Sequence, residues 1–183
     1  MPIVAVNTGL PDVIILEPKV FGDDRGFFLE SFNKRDFAET IGLEVDFVQD
    51  NHSRSEKGVL RGLHYQIHRP QGKLVRVVKG AVFDVAVDLR RSSDRFGKWV
   101  GVELSERNKR QLWIPPGFAH GFLVTEGPAE FLYKTTDYWF PEHERSLLWS
   151  DPSLGISWPL DGEPVLARKD ALGKPLSEVE CFP

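Results

Sequence analysis

The sequence predicts an all-β protein built from two packed antiparallel sheets, in a sandwich or jelly-roll arrangement. Sixteen glycines and 13 prolines are spread along the 183 residues, so turns interrupt the apolar runs at short intervals. About ten of these runs have the length of strands, and several alternate between apolar and polar residues. Only one segment has the spacing of a helix. Many short strands with short connections are typical of such sandwiches.

The one predicted helix covers Lys34–Ile41. Asn33 can cap its amino terminus, and Gly42 can end it. Phe37 and Ile41 lie four residues apart, which places both on the same face of the helix. We therefore expect about two helical turns packed through this apolar face.

The predicted strands lie on both sides of this helix. Residues 73–79 and 81–89 alternate clearly, and Lys79-Gly80 between them predicts a tight turn. The strand candidates are Val13–Leu16, Gly26–Phe32, Phe47–His52, Leu60–Ile67, Lys73–Lys79, Ala81–Leu89, Trp99–Leu104, Gln111–Ile114, Gly121–Val124 and Glu130–Tyr138.

The tail from about Ser150 is rich in Pro, Gly and Asp but also contains apolar residues such as Trp158 and Val165. We interpret it as irregular structure packed against the sheets. The sequence shows no internal repeat and no linker, so residues 1–183 are predicted to form one domain.

The composition argues against several classes of function. Twenty-three basic and 27 acidic residues give a net charge of -4, which argues against a nucleic-acid partner. The single cysteine, Cys181, gives no sign of an oxidising compartment. The first residues do not resemble a signal peptide, and no apolar run approaches the ~20 residues that cross a bilayer. We expect a soluble, cytoplasmic protein without a membrane partner.

The histidine spacing does not predict a metal site. His64 and His68 are four residues apart, or about 13 Å on a straight strand, and cannot both reach one metal at ~2 Å. Gln66 stands where a His-x-His pair would place its second ligand.

A metal-free site fits these residues better. Imidazole, ammonium, guanidinium and carboxylate groups together suit proton transfer next to a carbonyl. Arg61 and His64 have opposite strand parity, so both face one cavity only if the strand bulges, which Gly62 permits. The group comprises Arg61, His64, Gln66, His68, Lys73, Asp84 and Asp88.

Most of these residues also have a structural interpretation. A strand histidine is often a hydrogen-bonded structural residue, and Asp84 can tie down a neighbouring strand. On spacing alone, Lys73 and Lys79 are solvated strand ends. Arg25 after two aspartates can form a weak surface pair. Tyr133 and Tyr138 are equally compatible with packing roles.

Six motifs occur in order along the chain. They are Phe21–Phe32 (FGDDRGFFLESF), Gln49–Arg54 (QDNHSR), Gly58–Gln66 (GVLRGLHYQ), Pro70–Val75 (PQGKLV), Ile114–Phe122 (IPPGFAHGF) and Tyr133–Tyr138 (YKTTDY). With tail segments such as Trp149–Pro152 (WSDP), they resemble the dTDP-4-dehydrorhamnose 3,5-epimerase family of the cupin superfamily. The resemblance extends from about Val13 to Pro175.

The resemblance implies a cupin jelly roll, usually a homodimer in which the N-terminal part contributes to the neighbouring protomer's site. It implies an activity without metal or organic cofactor. The implied substrate is dTDP-4-dehydro-6-deoxy-D-glucose, which is inverted at C3 and C5 to give dTDP-4-dehydro-L-rhamnose. Both carbons flank the C4 ketone, so each proton can leave to form an enolate.

The resemblance also implies catalytic roles. His64 matches the base, and Asp170 resembles the carboxylate that orients it, with Asp84 as the alternative partner. Lys73 looks like the cation that faces the enolate oxygen. Tyr133 matches the acid that returns the proton on the other face.

Further positions match substrate contacts of the family. Arg25, Arg61 and Lys169 suit the diphosphate, because arginine forks and ammonium groups bind phosphate oxygens. Tyr138 resembles the residue that stacks on thymine. His120 either contacts substrate or is structural, and His52, His68 and His143 receive no role. The remaining matched positions are Glu30, Gln49, Asn51 and Glu144.

Three alternative functions remain open from the sequence. A single-site epimerase that inverts only C3 or only C5 would keep the same histidine, lysine and tyrosine. A metal-dependent cupin oxygenase or isomerase is disfavoured by the missing His-x-His pair. A non-catalytic sugar-binding sandwich would have no turnover to lose.

Overall fold

Two long strands organise the molecule, whose computed structural model describes residues 3–183. They are β7, of 16 residues, and β10, of 18 residues, and they pair antiparallel along most of their length. The strands are β1 (Ile3–Asn7), β2 (Ile14–Pro18), β3 (Val20–Asp23), β4 (Gly26–Leu29), β5 (Gln49–Ser55), β6 (Val59–Gln66), β7 (Lys73–Asp88), β8 (Trp99–Ser105), β9 (Gln111–Ile114), β10 (Phe118–Thr135), β11 (Glu144–Ser146) and β12 (Val165–Leu166). The helices are α1 (Lys34–Ile41) and α2 (Arg168–Ala171), and a single 3-10 turn covers Pro141–His143.

β7 and β10 belong to two layers at once. In the first layer, the order is β1, β2, β9, the first half of β7, the second half of β10, and β5. In the second layer, β8 is followed by the second half of β7, the first half of β10, β6 and β11. β3 and β4 form a separate hairpin. The predicted jelly-roll sandwich is confirmed.

The predicted turn at Lys79-Gly80 is wrong. β7 continues through Gly80, which has φ +71°, and its pairing with β10 shifts register there. Apolar residues on both sides of Gly80 let the strand pair with β10 throughout, so a positive-φ glycine bends the strand between the layers instead of reversing it. The predicted strands Gly121–Val124 and Glu130–Tyr138 are likewise not separate strands. Both belong to the continuous strand β10, although residues 136–138 lie beyond its end.

The predicted helix is confirmed, with the bounds given above for α1. The Asn33 side chain accepts hydrogen bonds from two backbone N–H groups of the first turn, and Gly42 ends the helix with φ 70°. Phe37 is buried against Trp113 of β9, with the two rings at 82° to each other. The helix therefore covers the outer face of the first layer. The short helix α2 and the strands β1, β3, β11 and β12, by contrast, were missed by the sequence analysis.

The main core lies between the two layers, where side chains from both halves of β7 and β10 meet. The tail after residue 150 packs on the outer face of the second layer, where Leu154 and Val179 are buried beside Val85 and Val87. The interpretation of the tail as packed, irregular structure is confirmed. In residues 3–183, no helix is long and apolar enough to span a membrane.

Candidate active site

One cavity of about 360 Å³ lies between the layers, within the size range of small-molecule sites. It collects side chains from β5, β6, β7, β10, β11 and the tail. Its lining residues are Gln49, Asn51, Ser53, Arg61, His64, Tyr65, Gln66, Gln71, Lys73, His120, Gly121, Phe122, Phe131, Tyr133, Trp139, Glu144, Ala167, Lys169 and Asp170.

His64 on β6 is held by a carboxylate from the tail. Its Nε2 lies 2.5 Å from Oδ1 of Asp170, which is buried in α2. Asp84, the alternative partner, lies instead against His120, with both carboxylate oxygens 3.0 Å from His120 Nε2. The geometry pairs His64 with Asp170, so Nδ1 is the ring nitrogen left to accept a proton from a ligand.

The irregularity expected at Gly62 brings Arg61 and His64 to the same cavity. Gly62 has φ +114°, and the register between β6 and β10 shifts at this point. Gly62 and Gly121 approach closely: a Cβ at position 121 would lie 2.5 Å from the carbonyl oxygen of Arg61. Two glycines are therefore needed for the strands to meet beside the two histidines.

Lys73 enters the cavity floor from β7 and is nearly fully buried. Burial lowers the pKa of its ammonium to about 8, although the Asp84 and Glu144 carboxylates oppose this shift. Burial also lowers the pKa of His120 below its usual value, against the stabilising effect of Asp84. The interpretation of Lys73 as a solvated strand end is wrong, whereas Lys79 is exposed.

Tyr133 enters the cavity from the second half of β10. Within residues 3–183 its hydroxyl has no hydrogen-bond partner. Burial raises the pKa of this hydroxyl, and the negative charge of Glu144 adds to the increase. Glu144 is itself paired with Lys169, at 3.0 Å. The tyrosine is therefore kept in its protonated form.

The β5 wall presents an unused donor. Nδ2 of Asn51 is the one buried side-chain polar atom that lacks a hydrogen-bond partner in the described part of the chain. Its Oδ1 accepts a hydrogen bond from Gln49 Nε2. Because an unsatisfied buried donor is costly, this amide group is suited to a ligand acceptor.

Three of the predicted site residues do not line this cavity: Arg25, Glu30 and Tyr138. Arg25 lies at the tip of the β3–β4 hairpin, where its side chain is 89% exposed and forms a bidentate pair with Asp23. The Tyr138 side chain is also exposed.

Trp139, the next residue, lines the cavity and was missed by the sequence analysis. Trp139 lies beyond the end of β10, where side chains no longer alternate between two faces. The sequence therefore does not indicate whether Tyr138 or Trp139 faces the cavity. Gln66 and Gln71 line the cavity as well. Gln66 belongs to the group predicted for a metal-free site, and both residues lie in the quoted motifs, but neither was assigned a role. The i, i+2 spacing from His64 indicated the orientation of Gln66, whereas no comparable spacing indicated Gln71.

No group of three or more His, Cys, Asp or Glu in residues 3–183 is arranged to hold a metal ion. His68 lies outside the cavity lining, and its ring packs edge-on against His143, with ring centroids 5.2 Å apart. His68 was grouped with His64 and Gln66 in the predicted metal-free site, but it lies beyond the end of β6 and does not line the cavity.

Removal and return of a proton beside a carbonyl is the chemistry that these groups can perform together. A jelly roll with such a cavity defines an isomerase of the cupin type. The comparisons with known proteins agree. The family model described as dTDP-4-dehydrorhamnose 3,5-epimerase matches residues 7–178, and the chain belongs to this family.

Relatives and solved structures support this membership. A dTDP-4-dehydrorhamnose 3,5-epimerase of Pseudomonas aeruginosa is 64% identical over 98% of this chain and 99% of its own length. The structure of dTDP-6-deoxy-D-glucose-3,5-epimerase from Legionella pneumophila Philadelphia 1, in complex with dTDP-4-keto-L-rhamnose, superimposes with a TM-score of 0.95. It is 54% identical and covers 97% of this chain and 95% of its own. A 3'-monoepimerase from Streptomyces bikiniensis, in complex with dTDP-quinovose, is more distant: its TM-score is 0.88 at 32% identity, over 93% and 87% of the two chains.

Proposed function

We propose that the chain inverts C3 and C5 of dTDP-4-dehydro-6-deoxy-D-glucose to give dTDP-4-dehydro-L-rhamnose. The observation that carries the proposal is the division of roles between the walls of one cavity. The His64–Asp170 pair lies on the second layer, and Tyr133 and Lys73 enter from the first. Base and acid thus face a bound sugar ring from different sides, as inversion requires.

His64 is the base in this mechanism. Nδ1 removes the proton from the carbon next to the C4 ketone, and Asp170 stabilises the resulting imidazolium through its short contact with Nε2. The same base serves both carbons, because C3 and C5 lie on either side of the ketone.

Lys73 stabilises the enolate formed in each step. A buried ammonium beside the C4 oxygen acts in a low-dielectric site, where a fixed charge lowers the barrier more than in water. The lowered pKa of Lys73, about 8, still leaves it mostly protonated at neutral pH.

Tyr133 returns a proton to the opposite face of the ring. Its hydroxyl is protonated because burial and Glu144 raise its pKa, and no partner in residues 3–183 competes for it. Because the hydroxyl proton of Tyr133 exchanges with water, each inverted carbon acquires a hydrogen derived from solvent.

The nucleotide occupies the outer part of the cavity. Arg61 and Lys169 supply positive charge for the diphosphate. Trp139 takes the stacking role predicted for Tyr138, because the indole lines the cavity and the Tyr138 ring does not, although both residues are 54% exposed. Asn51 offers its unsatisfied donor to a substrate oxygen.

A second copy of the chain completes the site. The β3–β4 hairpin exposes Phe21, Phe27 and Phe28 together with Arg25, and an exposed aromatic patch of this kind is typical of an interface. In the homodimer, this hairpin brings Arg25 and Glu30 towards the neighbouring cavity. A cytoplasmic location remains the prediction made from the sequence.

The second candidate function is inversion at a single carbon. The similarity to a 3'-monoepimerase supports this second candidate, since that protein shares the fold at 32% identity. Both functions use the same base and cation, so the number of exchanged carbon-bound hydrogens separates them.

The test is proton NMR of chelator-treated protein with dTDP-4-dehydro-6-deoxy-D-glucose in D₂O. Loss of both the H3 and H5 signals, with new product resonances, is expected. Loss of one signal identifies a single-site epimerase instead, and no exchange at either carbon contradicts the proposal.

Tyr133→Phe should reduce net inversion far more than exchange. The phenylalanine ring keeps the packing but removes the acid, so His64 still forms the enolate while the new configuration is not delivered efficiently. We expect about a 10²- to 10⁴-fold loss of product formation. Product resonances and deuterium incorporation, followed in the same NMR sample, measure the two effects separately. Wild-type epimerisation in Tyr133→Phe would refute the assignment.

A further inference from the structure

The segment that carries Trp139, residues 137–140, follows β10 but belongs to no strand or helix. We refer to it as the Trp139 segment. Its backbone polar groups therefore need partners other than a strand ladder. Trp139 is half exposed, so packing alone does not fix its ring. Other contacts must hold the segment against the cavity.

Glutamine side chains that line the cavity provide several of these partners, while the Asp137 carboxylate accepts from Tyr138 N–H and the Thr135 hydroxyl donates to the Asp137 carbonyl. Gln49 Oε1 accepts a hydrogen bond from Trp139 N at 3.1 Å. Gln71 Nε2 donates to the carbonyl of Asp137 at 2.8 Å. Each of these glutamines makes one bond to the segment.

Gln66 makes the most complete set of bonds. Its Nε2 donates to the carbonyl oxygens of Tyr138, at 3.2 Å, and Arg69, at 2.9 Å. Its Oε1 accepts from the N–H of Phe140 at 2.6 Å. The side chain is 4% exposed, so water cannot replace these bonds easily. A carboxamide supplies both donors and an acceptor, and this site uses all three.

We propose that Gln66 is a positioning residue for the nucleotide, which holds the Trp139 segment so that the indole stands ready for the base. The inference rests on the proposed function, in which Trp139 stacks on thymine. Gln66 binds both neighbours of Trp139, and it lies two residues after His64 on β6. It thus ties the nucleotide wall to the strand that carries the base without contacting the reacting atoms.

A double-mutant cycle on thymidine diphosphate binding tests this inference. Calorimetric dissociation constants are compared for wild type, Gln66→Met, Trp139→Ala and the double variant. Because one stacked base contributes about 1–3 kcal/mol, each single variant should bind about five- to 150-fold more weakly. The double variant should bind no more weakly than Trp139→Ala alone, since Gln66 acts through the indole.

Kinetics provide a second readout. Gln66→Met should raise KM for the sugar nucleotide by a similar factor and change kcat by less than about threefold. Gln66→Glu keeps the acceptor for Phe140 N–H but, as a carboxylate, loses both donors. It should raise KM by a factor similar to that of Gln66→Met, and it is the variant to use if Gln66→Met does not fold. His68→Ala is the matched control, because His68 lies near the same strand end and makes no hydrogen bond to the segment.

The outcomes separate the inference from the proposed function. Wild-type affinity in Gln66→Met and Gln66→Glu, fully additive losses in the double variant, or a loss confined to kcat each overturns the role of Gln66. A wild-type chain that does not bind thymidine diphosphate overturns the proposed function and the inference with it.

Discussion

His64→Ala is expected to abolish hydrogen exchange at both C3 and C5 while nucleotide binding persists. In the proposed mechanism, a single imidazole, held by Asp170, serves both carbons of the substrate. Loss of a general base costs about 10²- to 10⁴-fold in rate, and no other described residue pairs with Asp170 to replace it. Deuterium incorporation at each carbon and calorimetric binding of thymidine diphosphate measure the two properties.

His52→Ala is the control for this variant. His52 is an exposed histidine on β5 that pairs with Glu130 outside the cavity, so its loss should leave both measurements unchanged. If His64→Ala exchanges one carbon at the wild-type rate, a second base exists and the single-base mechanism is wrong. If it no longer binds the nucleotide, His64 contributes to binding and its catalytic role is not isolated.

Lys73→Met is expected to slow enolate formation by about 10²- to 10³-fold, the usual effect of removing one preorganised electrostatic contact. The pH profile should change as well. The wild-type rate should fall as pH rises through about 8, where Lys73 loses its proton, and this decline should be absent in Lys73→Met. Asp84, Glu144 and Lys169 surround the ammonium, so the measured midpoint belongs to the cluster.

The same substitution should stabilise the fold. The pKa of Lys73 is lower in the folded chain than its ordinary value of 10.5, so the unfolded chain binds more protons between about pH 8 and that value. Stability contributed by this site therefore rises with pH over that range, and below it the buried charge destabilises the fold. Lys73→Met should unfold at a higher temperature than wild type at pH 7. A less active variant that is also less stable would indicate lost structure rather than lost charge.

The layers were predictable because strand alternation reports which residues face the core, and the isolated helix had clear caps. The strand boundaries at Gly80 were not. A glycine that reaches positive φ serves a tight turn and a bulge equally well, and only pairing with β10, more than 40 residues later, distinguishes them.

The residues of the site were predictable from the motifs, but their pairing and the choice between neighbouring aromatic residues were not predictable from local patterns. Resemblance of the motifs identified His64, Lys73, Tyr133 and Asp170, which the fold brings to one cavity. Local patterns could not have paired His64 with Asp170, because the two are 106 residues apart. The choice between Tyr138 and Trp139 also lay beyond the sequence, since it depends on side-chain bonds from β5 and β6 to an irregular segment.

In the proposed mechanism, the docking of the tail on the second layer means that His64 gains its orienting carboxylate only late in chain synthesis. The strand that carries the base is complete once residue 66 has been made, but its orienting carboxylate arrives only with residue 170. Strands β1–β11, which include the strands of both layers, are therefore synthesised before the carboxylate that orients His64. Proteolytic loss of the tail would separate Asp170 from His64 and uncover Val85 and Val87, so in the proposed mechanism turnover reports whether the tail is in place.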